Sequence, residues 1–374
     1  MPPAISFVDD RDRLAEALRT VDHPVVGADV ERADSDNYYR EASLIQVGAD
    51  GACTLVDPHA IDDLDPLERF LAGRLTVFHA IENDVEPLEA AGIGLHQVAD
   101  TSVAAAMLGM PTGLSNLLED VLGIELTSNK SKLQRADWSR RPLTDEMVAY
   151  AAEDVVHLPA LWHELATRLE ERGRTSWYEQ ELAATLERAT ENRRAWFRTK
   201  GVGRLDPQAR AVLRSLWEER EQLAKEHDIA PALVISDKEL VTLAEEPADT
   251  PTAIGKRGHS RRSRTSEFAQ QLFDAQQAGR EAPPEEPPEG RRWDTDDRAA
   301  YDAMRKARAD KADELGMDPG VLCPSRVLWD ATLADPDGPE ELCEAAGLLP
   351  WQTELLADDL WTAYTGASED TDEG

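Results

Sequence analysis

Four carboxylates and one phenol stand at three places in this chain where a two-metal, phosphodiester-cleaving site would need them. Asp29-Val30-Glu31 closes the apolar run Val25-Val26-Gly27-Ala28. Asp84 ends His79-Ala80-Ile81-Glu82-Asn83-Asp84, and Asp154 ends Tyr150-Ala151-Ala152-Glu153-Asp154. Two divalent cations about 3.5–4 Å apart require several hard oxygen ligands converging from different elements. Residues two apart on a strand share a face, which sends Asp29 and Glu31 the same way. Residues four apart on a helix do too, which pairs Tyr150 with Asp154. Singly these signals are weak, because in a chain with 74 acidic residues the ordinary reading of one carboxylate is a solvated charge. Their order and surroundings carry the weight.

The elements that must position them are legible in the first half. Short apolar or β-branched runs at residues 5–8, 25–30, 43–47, 53–56 and 75–79 read as strands, parted by turn residues such as Gly48-Ala49-Asp50-Gly51. Helical spacing marks 11–20, 83–91, 100–108, 113–122 and 144–171, the last opened by Thr144-Asp145-Glu146 as a cap. The three closely linked runs 25–30, 43–47 and 53–56 are expected to be antiparallel neighbours. With the later alternation, this is an α/β domain with a mixed sheet and helices on its faces. A connecting helix is expected over 176–198, and from there on the periodicity is helical throughout.

That second half repeats itself. Arg220-Glu221-Gln222-Leu223-Ala224-Lys225-Glu226-His227-Asp228-Ile229-Ala230-Pro231 registers with Arg308-Ala309-Asp310-Lys311-Ala312-Asp313-Glu314-Leu315-Gly316-Met317-Asp318-Pro319, in its apolar positions and its proline. Between the copies lies a Pro/Glu-rich stretch, residues 281–292, that reads as an extended linker. The tail, 367–374, is acidic and expected to be disordered.

Taken together, these stretches resemble the ribonuclease D family of 3′→5′ exoribonucleases, DEDD exonucleases with a tyrosine in the third motif. The resemblance rests on Val26 to Glu31, on Ser43-Leu44-Ile45-Gln46-Val47, on Phe78-His79 through Asp84-Val85-Glu86-Pro87-Leu88, and on Asp100-Thr101. It rests also on Gln134 through Leu143 and on Tyr150 through Asp154. Arg32 departs from the family, which has an apolar residue there. A sister class places histidine one residue before the tyrosine position; here it is Ala149. The repeats resemble the HRDC module. The resemblance implies a ribonuclease-H-like exonuclease domain over 1–172, a connecting helix over 173–205, and all-α HRDC-like domains over 206–280 and 293–366.

The resemblance also implies roles. Asp29 would bridge two cations, Mg2+ or Mn2+, with Glu31 and Asp154 completing one metal site and Asp84 holding the other. Tyr150, whose ordinary pKa is about 10, would orient the attacking water and help deprotonate it. The expected substrate is the 3′ end of RNA, transfer-RNA precursors above all. A DNA 3′→5′ exonuclease and a non-catalytic RNA-binding scaffold remain open alternatives, the intact motifs speaking against the latter.

Other residues have weaker claims. His79, Asn83, Tyr39, Gln46, Gln134 and Trp138 neighbour the motifs; Asn83 reads as a helix N-cap and Trp138 as a core anchor. Phosphate contact is expected from Lys256, Arg257, Arg261, Arg262 and Arg264, a stretch carrying no acid, and from Trp196, Arg198 and Lys200, with Arg193 and Arg194 nearby. Lys130, Lys132 and Arg135 precede the third motif.

The net charge of −34 sets these basic stretches apart, since on average the chain repels phosphate. A salt-rich cytoplasm, where the Debye length falls to about 3 Å near 1 M, would silence distant repulsion; acid kept away from the site would serve equally. Three scattered cysteines fit neither a zinc pattern nor a disulfide frame. With no apolar run long enough to span a membrane and no signal-peptide pattern, a cytoplasmic, monomeric protein is expected.

Overall fold

The computed structural model describes residues 3–33, 36–126, 130–134, 136–190, 195–258, 260–285 and 295–372. Arg135, Arg193, Arg194 and part of the linker lie outside the described residues. In chain order the elements are β1 (Ala4–Val8), α1 (Arg11–Leu18), β2 (Val25–Arg32), β3 (Ala42–Ala49), β4 (Ala52–Val56), α2 (Asp65–Ala72), β5 (Leu75–Phe78), α3 (Val85–Ala90), β6 (Gln97–Asp100), α4 (Thr101–Met107), α5 (Leu114–Leu117), α6 (Lys130–Leu133), α7 (Asp145–Val156), α8 (Leu158–Glu171) and α9 (Thr175–Thr190). The second half adds α10 (Pro207–Glu226), α11 (Pro231–Val234), α12 (Asp237–Glu245), α13 (Pro251–Gly255), α14 (Ala269–Glu281), α15 (Thr295–Leu315), α16 (Pro319–Leu322), α17 (Ser325–Leu333), α18 (Pro339–Ala345) and α19 (Pro350–Asp372).

Contacts divide the chain into two compact units. One comprises Met1–Glu31, Ala42–Thr190 and Arg291–Gly374; the other comprises Arg32–Glu41 and Glu191–Gly290.

In the first unit the sheet order is β1-β4-β3-β2-β5-β6. β3 and β4 are antiparallel, while β1 with β4, β2 with β5, and β5 with β6 are parallel. The mixed sheet is the expected one, with β6 an additional edge. Alternation along β2 decides which side chains face which layer. Val26, Ala28 and Val30 enter an apolar cluster with Ile45, Val47, Leu14 and Leu67. Gly27, Asp29 and Glu31 therefore face the other side, where α7 lies.

The helix expected over 144–171 is broken. α7 ends at Val156 and α8 begins at Leu158, with His157 between them. Pro159 is the cause: it has no N–H and its ring clashes with the carbonyl four residues back, that of Val155. The connecting helix is described over Thr175–Thr190, and a 3-10 turn covers Trp196–Arg198. The tail expected to be disordered continues α19 as helix to Asp372.

The C-terminal helices belong to the first unit for a physical reason. Met304, Ala312, Leu328, Trp351 and Leu356 share one buried cluster with Ala104, Met107, Leu161, Leu165 and Tyr178 of the exonuclease helices. Trp177 stacks on Trp351, ring centroids 5.2 Å apart. The buried Arg174 donates to the Met107 carbonyl (2.7 Å) and the Leu315 carbonyl (2.6 Å), joining the C-terminal ends of α4 and α15. Beside it, Gly109 has φ +69°, and a Cβ there would lie 1.8 Å from the Gly316 carbonyl oxygen. Arg174→Met is expected to remove about 3 kcal/mol of stability, because two buried carbonyls lose a charged donor. Hydrogen exchange should show α15 to α19 opening first; uniform exchange across the unit would assign Arg174 no docking role.

In the second unit Leu213, Leu216 and Leu223 of α10 pack with Leu240, Leu243, Phe268 and Leu272. The segment that follows the acidic strand is fastened to this core. Asp228, at φ +44°, accepts the backbone N–H groups of Tyr38 and Tyr39, each at 3.0 Å, and the Asn37 amide at 2.8 Å.

Candidate active site

Three carboxylates converge as their spacing predicts. Asp29, Glu31 and Asp154 each offer an oxygen, and these oxygens all lie within 4.8 Å of one another. Two come from one face of β2 and the third from the last turn of α7. The approach is set by two glycines. A Cβ on Gly27 would lie 2.2 Å from the Val155 carbonyl oxygen, and one on Gly48 would lie 2.7 Å from the Val155 side chain. The carbonyl that Pro159 displaces from the helix ladder is the one seated against Gly27. Because Asp154 precedes Val155, this close packing carries its carboxylate to Asp29, two residues along from Gly27.

Gly27→Ala tests that arrangement. The obstacle is backbone, which cannot rotate away, so α7 must shift. The expected cost is about 1–3 kcal/mol in stability and on the order of tenfold to a hundredfold in turnover. Gly48→Ala, blocked first by a side-chain methyl, should do less. Loss of stability with turnover unchanged would separate the glycine contact from the placing of the ligands.

Tyr150 lies one helical turn before Asp154 and is 3% exposed. Its ring packs on buried Trp138, centroids 6.0 Å apart, and the Trp138 Nε1–H donates to the Leu133 carbonyl at 3.1 Å. The tryptophan is thus the core anchor expected. Burial pushes the Tyr150 phenol above its ordinary range. The carboxylates of Asp154 and Glu31, a hydrogen bond to Asp154, and Asp29 push the same way.

Asp84 stands outside the group of three, on the turn after β5. β5 runs parallel to β2 with Val77 opposite Gly27, so the chain leaves β5 beside the acidic strand. Ala80 turns back at φ +63°. Asp100, fully buried, holds this turn by accepting from Ala80 N–H (3.2 Å) and Ile81 N–H (2.8 Å), while capping α4 through Ser102 and Val103. This holding role was not foreseen, although an aspartate directly before a helix was visible. The N-cap of α3 is Asp84, not Asn83, and its side chain makes no capping bond. Asp84 is 3% exposed.

Among the other candidates, His79 Nδ1 meets the Thr101 hydroxyl at 2.8 Å, a packing role. Gln46 is wholly buried; Tyr39 is exposed and belongs to the second unit. The 256–264 stretch gains acid from elsewhere in its fold. Arg262 pairs with Asp36 (2.8 Å), Arg257 with Glu239 (3.2 Å) and Arg264 with Glu267 (2.6 Å). Among the described residues Lys256 and Arg261 have no acidic partner. Local sequence could not show this, since Asp36 and Glu239 are distant in the chain.

A mixed sheet that gathers carboxylates on one face against the end of a helix, with a tyrosine one turn earlier, defines a metal-dependent 3′→5′ exonuclease. Family models agree: a 3′-5′ exonuclease model matches residues 5–170, and an HRDC domain model matches 209–271 and 297–364. Ribonuclease D of Pseudomonas paraeruginosa is 32% identical over 98% of this chain and 99% of its own length. That of Granulibacter bethesdensis is 29% identical over 98% and 93%. The crystal structure of Escherichia coli RNase D superposes with a TM-score of 0.81 at 24% identity, over 97% of this chain and 99% of that one. The chain belongs to the ribonuclease D family and is a 3′→5′ exoribonuclease. Among the described residues, no helix is long and apolar enough to cross a membrane.

Proposed function

We propose that this enzyme shortens structured RNA from the 3′ end, with transfer-RNA precursors as its substrates, using two divalent cations, Mg2+ or Mn2+. The observation that carries the reading is the trio of carboxylate oxygens within 4.8 Å, beside a phenol hydrogen-bonded to Asp154. At that separation each carboxylate pair repels by roughly 3–4 kcal/mol at an effective dielectric near 20, a cost that bound cations remove. Every donor is a hard oxygen, which suits Mg2+ or Mn2+ and not zinc.

Asp29, Glu31 and Asp154 would hold one cation, Asp29 would reach the second, and Asp84 would help hold that one. Bound there, the cations would lower the pKa of the attacking water and offset charge on the leaving 3′ oxygen. Tyr150 orients that water. The tandem helical modules grip the body of the RNA, and Lys256, Arg261 and the 196–200 turn supply phosphate contacts. The Escherichia coli relative is an exoribonuclease involved in structured RNA processing, which supports the substrate class. Three free, buried thiols, Cys53, Cys323 and Cys343, are in keeping with a cytoplasmic monomer.

The test is hydrolysis of a 5′-labelled transfer-RNA precursor with a 3′ extension, beside a DNA oligonucleotide of the same 3′ sequence. Stepwise loss of 3′ nucleotides, stopped by chelator and restored by Mg2+ or Mn2+, is expected. Preference for the DNA would transfer the enzyme to the DNA-directed class. No release with either would leave only binding.

A further inference from the structure

The first helical module has a cavity of about 370 Å3, in the range of about 300–1,000 Å3 usual for small-ligand sites. Trp217, Arg198, Arg220, Glu221 and Ala232 are among the residues that line it. Arg220 is only 5% exposed. Its terminal nitrogens pair with Asp237 and Glu221, its guanidinium lies over the Trp217 ring at 5.9 Å, and its Nε–H, fully buried, has no partner.

The internal repeat separates what the fold needs from what has been added. Arg308, the counterpart of Arg220, is also buried and also has an unmet Nε–H, but it donates to the Cys323 carbonyl at 2.7 Å and the Ser325 hydroxyl at 3.1 Å. An arginine at this position is thus a pin of the module. The counterparts of Trp217, Glu221 and Asp237 are Arg305, Ala309 and Ser325. At those three positions the second module has neither an aromatic ring nor a carboxylate, and its own cavity, lined by Tyr301, Ser325, Arg326, Trp329 and Asp330, does not include Arg308.

We infer that this cavity takes one unpaired nucleotide of the RNA, an assignment that rests on RNA being the substrate. The base lies on the half-buried Trp217 ring. Its polar edge donates to the Glu221 carboxylate, and the exposed Arg198 meets the phosphate. A flat face with mixed donors and acceptors suits a base, whereas two carboxylates facing Arg220 make the interior a poor place for a bare anion. The module therefore engages single-stranded RNA by a base as well as by charge.

The test uses the full chain in chelator, so that no RNA is cut. Single-stranded RNA carrying 5-iodouridine at successive positions is photocrosslinked and the adduct mapped by mass spectrometry. An adduct on Trp217 is expected; adducts confined to other residues would overturn the assignment. Separately, Ala232→Trp fills the cavity from its exposed rim, at a residue that makes no bond in the proposal. Affinity for a single-stranded dodecamer should fall at least about fivefold, the least that one stacked base is worth, with the melting temperature unchanged. Equal affinity in a folded variant overturns the proposal, and a variant that fails to fold leaves the crosslink on the wild-type chain to decide. Competition by nucleoside monophosphates but not by inorganic phosphate is expected; the reverse would make the cavity an anion site. Should the chain bind RNA at Trp217 yet release no nucleotides with Mg2+, the proposed function fails and the pocket stands.

Discussion

Asn in place of Asp29 is expected to slow 3′ hydrolysis of RNA by about a thousandfold or more, while RNA still binds at high magnesium. Asn keeps the shape of the side chain and removes its charge. The residue lies on the inward face of β2 with its oxygen within 4.8 Å of those of Glu31 and Asp154, the central place in the proposed cation site. Loss of a bridging ligand removes several kcal/mol of transition-state stabilisation. The same change relieves repulsion within the trio, so the metal-free protein should not lose stability. Its thermal stabilisation by Mg2+ should shrink, because stabilisation by a ligand follows its affinity. A variant keeping more than about a tenth of the wild-type rate would remove Asp29 from the metal site.

Tyr150→Phe is expected to reduce turnover by about 10²–10⁴-fold with cation binding nearly intact, the range for a group that positions a proton or a water. Phe preserves the packing on Trp138 and lacks the O–H that meets Asp154. Burial first and the neighbouring carboxylates second push the phenol above its ordinary range. Metal affinity and rate must be measured together. If both fall by the same factor, Tyr150 shapes the ligand set and has no part in the chemistry.

The sequence by itself determined the candidate ligands and the faces they occupy. Spacing of two on β2 and of four on α7 is local geometry, and alternation along Val26, Ala28 and Val30 already says which side Asp29 must face. Gly27 and Pro159 were visible too, but their meaning was not. That a carbonyl freed by a proline would be received by a glycine of a strand more than a hundred residues earlier is a matter of packing between layers, which no local period encodes. The same holds for Asp100. Its position before α4 announced a cap, and only the fold shows its second carboxylate oxygen taking the Ile81 N–H, and the capping oxygen the Ala80 N–H, of the turn that carries Asp84.

Tertiary structure alone decided two further matters. The repeat announced two helical modules, and the fold shows the second burying its face against the exonuclease helices, through Arg174 and the Trp177–Trp351 stack. Removing everything after residue 199 therefore strips apolar surface from the exonuclease core, so a shortened chain is no clean measure of the modules' part in RNA binding. The basic run 256–264 read as free cation because charge was judged along the chain, whereas the field at Arg257 and Arg262 is set by carboxylates brought close in space. Secondary structure and ligand identity follow from short-range sterics and periodicity; which charges are neutralised and which modules share a core follow from contacts between distant residues, and those exist only once the chain has folded.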